Sequence, residues 1–233
     1  MERAPHPYAV HAFTLALLIA ASSWYALGVR RLWQRAGQGR GITRTQVATF
    51  AAGMVVLAFA ALAPLGERLS THMIQHELLM VIAAPLLVLG RPVVAFARVL
   101  PLRVPRRLSD PLLAFALHAT AICGWHLPLL FMAASANELL HFAQHASFLG
   151  SALAFWWMVF ARRDLGALMG LFGTMLYTGA LGALMTFSSK PWYAGTSLAD
   201  QTLAGLVMWI PAGLAYPAAA LYLGSRWLAR SPA

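Results

Sequence analysis

The chain has 233 residues, of which 60% are hydrophobic and 10% are charged, and its formal net charge is +10. A soluble domain carries about 25% charged residues, and a water-soluble fold of this length has too little interior for so many apolar side chains. The composition therefore excludes a soluble enzyme, a disordered chain and a fibrous protein. It predicts an all-α integral membrane protein.

Seven runs are long and apolar enough to cross a bilayer, which takes about 20 residues. They cover residues 8–29, 46–65, 71–90, 111–134, 139–161, 165–188 and 202–225. The links between them are short, so we expect a single seven-helix transmembrane domain over residues 1–233. The first run is followed at once by Arg30, Arg31 and Arg35, which is a stop-transfer pattern, and we expect it to be retained as a span.

The positive charges predict the orientation of these spans. If seven spans are assumed, 14 of the 17 Lys and Arg residues fall on one side of the membrane and 3 on the other. The positive-inside rule places the side with 14 in the cytoplasm, with the N-terminus outside and the C-terminus inside. Anionic lipid of the inner leaflet is the expected partner of these arginines, and nucleic-acid binding is not needed to explain the charge.

Two features predict how the helices pack. Gly166 and Gly170 form a G-x-x-x-G pattern in the sixth run and are followed by Gly173, Gly179 and Gly182, a set of small residues that predicts close helix contact. Pro128 lies within the fourth run and Pro211 within the seventh, where a proline kinks a helix. The stretch 93–100 combines apolar residues with Arg98 and is expected to lie along the membrane surface.

Histidines concentrate at one depth. Two i, i+4 pairs open the third and fifth runs, so each pair points one way from its helix. A fifth histidine lies near the exit of the fourth run; the five are His72, His76, His126, His141 and His145. All five are expected in the outer third of the membrane, where polar groups are costly and usually functional. His118 lies deeper and is expected to be a packing residue, and His6 and His11 receive no role.

The chemistry of these residues leaves several ligands open. Neutral imidazole suits copper, zinc, iron and nickel, and a thioether from Met73 or Met80 favours Cu(I). Glu77 is the one acidic residue inside a run, and Asp200 opens the seventh. His76-Glu77-Leu78-Leu79-Met80 lacks the second His of the H-E-x-x-H zinc protease motif, which excludes that class. Two histidines on different helices would also hold haem.

Five stretches together resemble a known family. They are HMIQHELLMVIAAPLLVLGRP (72–92), GWHLPLL (124–130), LHFAQHASFLGSALAFWW (140–157), LGALMTFSSKPWY (181–193) and DQTLAGLVMWIPAGLAY (200–216). In this order they resemble the CtaG-type multi-spanning cytochrome c oxidase assembly factors. The first two runs match only in general character. Thr202 stands where that family usually has a second Gln, and Met158 where it often has Pro.

The resemblance implies a seven-helix membrane protein that helps to build haem–copper oxidases, plausibly by delivering copper. It assigns the family's histidine positions to His72, His76, His126, His141 and His145, and its acidic position to Asp200. The argument from depth selects the same five histidines.

The leading hypothesis is a non-enzymatic assembly factor of the bacterial plasma membrane, whose five histidines bind copper at the outer face. Its expected partners are a haem–copper oxidase subunit or a periplasmic copper chaperone. Asp200 is expected to orient one imidazole or to add an oxygen ligand, with Met73, Met80 and Glu77 as auxiliary ligands. The alternatives are a haem-binding membrane redox protein with bis-His ligation, a metal-dependent membrane enzyme with Glu77 as base, and a histidine cluster that only joins helices.

Overall fold

The computed structural model describes residues 7–66, 68–101, 105–162 and 164–229, without the side chains of residues 7, 8, 106, 108 and 226–228. Every regular element in these residues is helical. The helices are α1 (Pro7–Ala36), α2 (Arg44–Leu62), α3 (Leu69–Glu77), α4 (Ala84–Leu89), α5 (Pro92–Phe96), α6 (Pro111–Trp125), α7 (Pro128–Ala136), α8 (Glu138–Arg162), α9 (Leu165–Thr186) and α10 (Leu198–Leu228). A π-helical segment, Leu78–Ala83, joins α3 to α4, and a 3-10 turn, Arg106–Ser109, precedes α6. The all-α prediction is therefore confirmed for the described part of the chain.

Within the described residues, five helical stretches are long and apolar enough to cross a membrane. They are α1, α2, the continuous stretch from α3 to α4, α9 and α10. The bent pair α6 and α7 makes a sixth if it counts as one span. Helix α8 has 25 residues but is not among them, because its histidine, glutamine and serine side chains lower its hydropathy. The count of seven spans stays a prediction.

The stretch from α3 to α4 forms the centre of the bundle. In the most apolar 18 residues of this stretch 56% of the residues are buried, whereas in the most apolar 18 residues of α1 only 17% are buried. It contacts α2, α8 and α10, and α10 packs along α9. Because the histidines of α3 lie on this central element, neighbouring helices surround them.

Capping residues set three of the helix starts. Thr43 and Gln46 form a reciprocal capping box at α2, and Asp110 accepts the backbone N–H of Leu113 at α6. At α9, Asp164 accepts the N–H of Ala167 and pairs with Arg162 at 2.9 Å. Although partial desolvation opposes them, these contacts hold the pKa of Asp164 below its ordinary value.

The loops after α1 and α4 lie together, at what we call the arginine end of the bundle. The Arg91 side chain donates to the Gly41 carbonyl at 2.9 Å, and the Arg31 side chain donates to the Arg98 carbonyl at 3.0 Å. The stretch expected along the membrane surface begins as α5, and its Ala95 is fully buried against the backbone of Gly28 in α1. This part of the stretch therefore packs against the protein.

The fourth apolar run, predicted as one span over 111–134 with a kink at Pro128, forms two helices that meet at this proline. Helices α6 and α7 meet at an angle of 74°. His126 is the C-cap of α6, and Pro128 occupies the first turn of α7. Proline lacks the N–H that a continuous helix requires and clashes with the preceding turn, so the helix breaks here and leaves His126 at the bend.

Close helix contact occurs in α9, but its tightest point is not the G-x-x-x-G pattern. A Cβ at Gly166 would meet the Pro111 ring at 3.0 Å, and one at Gly170 would meet the end of a Met158 side chain at 3.2 Å. By contrast, a Cβ at Gly182 would lie 2.8 Å from the backbone oxygen of Gly205 in α10. Along α9, the backbone therefore approaches that of another helix most closely at Gly182, against α10.

Candidate metal site

The structure brings the five predicted histidines together at one end of the bundle, here called the histidine end. The imidazole centroids of His72 and His76 are 4.2 Å apart, and those of His141 and His145 are 4.3 Å apart. The two pairs face each other, since His72 lies 5.2 Å from His141 and 5.5 Å from His145. The i, i+4 spacing thus aims each pair from its own helix at the other.

Three of these histidines are close enough to share an ion. One nitrogen from each of His72, His141 and His145 lies within 4.8 Å of the other two. Three nitrogens bound to the same ion at about 2 Å are about 3.3 to 3.5 Å apart in a tetrahedral or trigonal arrangement. The nitrogens therefore need to approach one another by at most about 1.5 Å, which rotation about side-chain bonds can supply.

Several buried imidazole nitrogens of the described cluster have no hydrogen-bond partner. Among the described residues, Nε2 of His72, both ring nitrogens of His76 and Nε2 of His145 are buried without a hydrogen bond. Buried polar atoms are almost always hydrogen-bonded, and leaving them unpaired costs stability. Four unpaired nitrogens therefore lie at one place. Their lone pairs would bind an ion, and their N–H groups would donate to the other ligands of that ion.

His126 extends the cluster through the bend between α6 and α7. Its ring centroid lies 6.0 Å from that of His76, and its Nε2 lies 3.5 Å from the Met73 sulfur. Its Nδ1 lies 2.7 Å from the Ile122 carbonyl, which fixes the ring direction. His126 and Met73 thus form a nitrogen–sulfur pair. His76 lies between this pair and the group formed by His72, His141 and His145.

Tyr193, in the loop between α9 and α10, holds this bend in place. Its hydroxyl donates to the His126 carbonyl at 2.9 Å, and its ring lies 4.0 Å from that of Phe131 in α7. Burial raises the pKa of the Tyr193 hydroxyl, so it remains a donor at any physiological pH. Tyr193 lay in the family-like stretch 181–193 but was assigned no role from the sequence.

Asp200 acts on the helix that carries two of the histidines. Its carboxylate accepts the backbone N–H of Leu69 at 2.8 Å and that of Ser70 at 3.3 Å, and also the Ser70 hydroxyl. The first N–H groups of a helix have no partner within it, and a carboxylate there is also favoured by the helix dipole. The expected bond from Asp200 to an imidazole is thus replaced by a cap that joins α10 to the start of α3.

Gln201 fixes the loop between α9 and α10 through hydrogen bonds of its side chain. It is fully buried, its side-chain oxygen accepts the Trp192 N–H, and its amide nitrogen donates to the carbonyls of Met185 and Lys190. This loop carries Tyr193. The Asp-Gln pair at the start of α10 therefore positions both the α3 histidines and the support of His126.

Three other candidate residues lie away from the ring cluster. Met80 belongs to the π-helical segment and packs in the main core, where its carbonyl accepts the Trp156 indole N–H at 2.9 Å. Glu77 is buried near Tyr216 of α10. His118 lies 3.1 Å from the Ser151 hydroxyl through Nδ1 and stacks on Phe155, and its Nε2 is buried without a hydrogen bond.

The structure also brings in residues that the sequence did not single out. His11 of α1 lies near His141, and both line one cavity together with Gln75 of α3. Gln144 of α8 is fully buried and lies next to His72. His11 carried no spacing signal, because no second histidine stands three or four residues from it in the sequence.

The donor set has a definite chemical preference. It consists of imidazoles and one thioether, whereas Asp200 is engaged by backbone N–H groups and Glu77 lies on the α10 side. A mixed set of imidazole and thioether ligands suits copper. Imidazoles alone also suit zinc, iron or nickel, whereas magnesium and calcium prefer oxygen ligands. The site therefore fits a transition-metal ion of intermediate or soft character.

Comparison with known proteins identifies the family. Searches of curated proteins and of solved structures gave no match. The family model described as cytochrome c oxidase caa3 assembly factor matches residues 23–230. This range covers the histidine cluster, the Asp-Gln pair, about half of α1 and all of α2, where the sequence resemblance was only general. The chain therefore belongs to the caa3-type cytochrome c oxidase assembly factor family.

Proposed function

We propose that this protein binds copper at its histidine cluster and assists metal-centre assembly of a haem–copper oxidase. The observation that carries the proposal is the convergence of five imidazoles from α3, α8 and the α6–α7 bend, with buried nitrogens that have no protein partner. Family membership supports the role in oxidase assembly. The oxidase subunit or a periplasmic chaperone is the proposed exchange partner.

In this proposal the ion has two connected positions. His72, His141 and His145 form the first, and His126 with Met73 forms the second. His76 lies between them, 5.2 Å from His145 and 6.0 Å from His126 by ring centroid. A thioether and an imidazole suit Cu(I), so the second position favours the reduced ion, and transfer between positions requires only ligand exchange at His76.

The proposed membrane arrangement has seven spans, with α6 and α7 as one broken span and α8 as another. The N-terminus lies outside and the C-terminus in the cytoplasm of a bacterial plasma membrane. The segregation of positive charge supports this orientation, as does the arginine end opposite the cluster. The histidine cluster then faces the periplasm or the external medium, where copper is exchanged.

The close packing of the rings favours an ion over haem. Neighbouring imidazole centroids in the cluster are 4.2 to 6.0 Å apart, in edge-to-face, tilted and stacked arrangements. Two axial histidines of a haem hold a flat macrocycle between their rings, so imidazoles in direct contact support an ion rather than haem. A binding role is also favoured over catalysis, because Glu77, the expected base, lies near Tyr216 on the α10 side.

The test compares the purified full chain with two variants. His72→Ala/His76→Ala removes two cluster ligands, and His118→Gln is the matched control, since His118 is also buried but lies outside the cluster. Elemental analysis after dialysis against a weak copper chelator should show at least tenfold less copper in the double variant and unchanged copper in the control. Oxidase activity of cells should fall only with the double variant.

Two results would reject the proposal. Full copper occupancy in the double variant would show that the cluster is not the copper site. A Soret absorption band in the wild type that disappears with His72→Ala/His76→Ala would instead assign the cluster to haem.

A further inference from the structure

A second binding feature lies beside the cluster, between α1, α2, α4 and α8. It is a cavity of about 490 Å³, here called the side cavity, and its size is within the usual 300–1,000 Å³ range of small-molecule sites. His141 and His145 are at one end of its lining on α8, and Leu153 is at the other. The side cavity therefore starts at the metal site and continues toward the arginine end.

The side cavity is elongated along the helix axes. On α8 its lining runs from His141 to Leu153 in one continuous stripe, which spans about 18 Å at 1.5 Å per residue. On α1 it runs from Val10 to Ala21, over about 17 Å. This length is about half of the roughly 30 Å hydrocarbon core of a bilayer, so an extended hydrocarbon chain of one leaflet matches the slot in length.

The polarity of the lining changes along its length. The polar residues are all in the turns at the histidine end: His11, Thr14, Gln75, His141 and His145. Toward the arginine end the lining is formed by apolar side chains such as Met54, Leu57 and Leu149. The described lining holds no carboxylate, lysine or arginine side chain. The occupant must therefore be hydrocarbon over most of its length, with one end able to hydrogen-bond.

The helices meet at both ends of the side cavity and separate between them. At the histidine end, Phe13 of α1 contacts Phe142 of α8, with centroids 5.7 Å apart. At the arginine end, Tyr25 of α1 stacks on Phe50 of α2 at 3.7 Å and donates to the Gly90 carbonyl at 2.8 Å. These contacts hold α1 in position, so the gap is part of the fold.

We propose that the side cavity binds one hydrocarbon chain of a membrane amphiphile, with the oxygen-bearing end of that molecule beside His11, Gln75 and His141. An acyl chain of a lipid and the isoprenoid tail of a quinone share this chemistry. The bound hydrocarbon chain lies along the helix axes, as hydrocarbon chains do in a bilayer. Because the cavity shares His141 and His145 with the metal site, its occupant borders that site, but the binding of the chain does not depend on the identity of the ion.

The test fills the slot from α8. Gly150 lines the side cavity, and a Cβ added there would meet no atom within 4 Å, so Gly150→Leu places a side chain in the space that the hydrocarbon would occupy. Gly224→Leu in α10 is the matched control, because a Cβ there also meets open space but lies outside the cavity. The probe is palmitic acid with a diazirine in its chain, added to the purified full chain in detergent and photolysed.

We expect labelling of α1 and α8 peptides that saturates at one probe per chain. Gly150→Leu should reduce it at least fivefold while copper content is unchanged, and Gly224→Leu should label like the wild type. Equal labelling of Gly150→Leu and the wild type would overturn the proposal, as would labelling spread evenly over all helices. If Gly150→Leu does not give a folded protein, Ala146→Leu, at another cavity-lining position on α8, decides by the same criteria.

Mass spectrometry of the organic extract from the wild type distinguishes the two sources. One phospholipid or one prenylated quinone retained per chain, and lost from the Gly150→Leu variant, identifies the occupant and supports the proposal. Absence of any retained amphiphile in an extract of unlabelled wild type, together with no site-specific labelling, overturns it. Copper analysis of the same samples keeps this result separate from that of the copper proposal.

Discussion

At the scale of single residues, the site depends on side chains that hold helix ends in place. The five histidines supply the donors, but their positions are set by Asp200, Gln201 and Tyr193. Asp200 caps α3 from α10, and Gln201 and Tyr193 fix the loop and the bend around His126. Substitutions at these three positions should therefore alter copper binding without removing a ligand.

Asp200→Ala tests this at the start of α3. Loss of a helix cap costs about 1 kcal/mol, and here it also frees the first turn, one turn before His72. We expect a lower thermal unfolding midpoint in detergent and a copper affinity reduced at least fivefold, measured by competition with a chromogenic chelator. Asp200→Asn retains a side-chain acceptor and should lie between the wild type and Asp200→Ala. Wild-type copper affinity in Asp200→Ala would show that the cap does not position the cluster.

At the scale of helices, the π-helical segment Leu78–Ala83 sets the rotation of the α3 histidines. The segment begins directly after Glu77. At its other end, the Ala84 N–H donates to the carbonyl of Leu79, five residues earlier. Such wide turns occur mostly at functional sites. In a continuous α-helix each residue turns the chain by about 100°, so the extra residue in this turn decides which way His72 and His76 face relative to α4.

Deletion of Val81 should convert this segment to a regular α-helix. His72 and His76 would then rotate by about 100° relative to α4, away from His141 and His145, and copper should be lost although every histidine is present. Val81→Ala keeps the residue count and serves as the control, with copper content close to that of the wild type. Copper retained by the deletion variant, measured by elemental analysis, would contradict this role of the segment.

The contact between α9 and α10 gives a second prediction at this scale. A Cβ at Gly205 would collide with the Thr186 side chain and with the backbone oxygen of Gly182, and small residues allow such close approach in membranes. Gly205→Ala should lower the thermal midpoint despite the higher helix propensity of alanine. Gly150→Ala, which meets open space, should leave it unchanged or raise it. A Gly205→Ala midpoint equal to that of the wild type would show that the helices separate readily.

At the scale of the whole molecule, the function depends on which side of the membrane the cluster faces. The histidine end lies opposite the arginine end, where Arg91 and Arg31 join the loops after α4 and α1. Copper exchange with an extracytoplasmic partner requires the histidine end to face outward. The orientation is therefore the property of the whole chain that the proposal needs most.

Single cysteines test the orientation. In a Cys123→Ser background, Lys190→Cys lies in the loop at the histidine end and Gln38→Cys in the loop after α1, and both positions are exposed. A membrane-impermeant maleimide should label Lys190→Cys in intact cells and Gln38→Cys only after the membrane is permeabilised. The reverse pattern would place the cluster in the cytoplasm and would remove the proposed exchange with a periplasmic partner.

The sequence by itself determined the helical, membrane-embedded class of the protein and the grouping of four histidines into two i, i+4 pairs. Composition and run length decide that the chain is helical and membrane-embedded, and i, i+4 spacing decides that His72 and His76 share a face, because both depend on local geometry alone. The quoted motifs also pointed to the family that the residue range 23–230 then showed.

Only the tertiary structure decided how these parts meet. The break at His126, the π turn after Glu77, the cap from Asp200 to α3 and the approach of His11 to His141 all involve the relative rotation or docking of segments distant in sequence. Those are set by side-chain packing between helices rather than by the period of any one helix. A hydropathy pattern is the same for every rotation of a helix about its neighbours, so it cannot specify which residues from different helices come together.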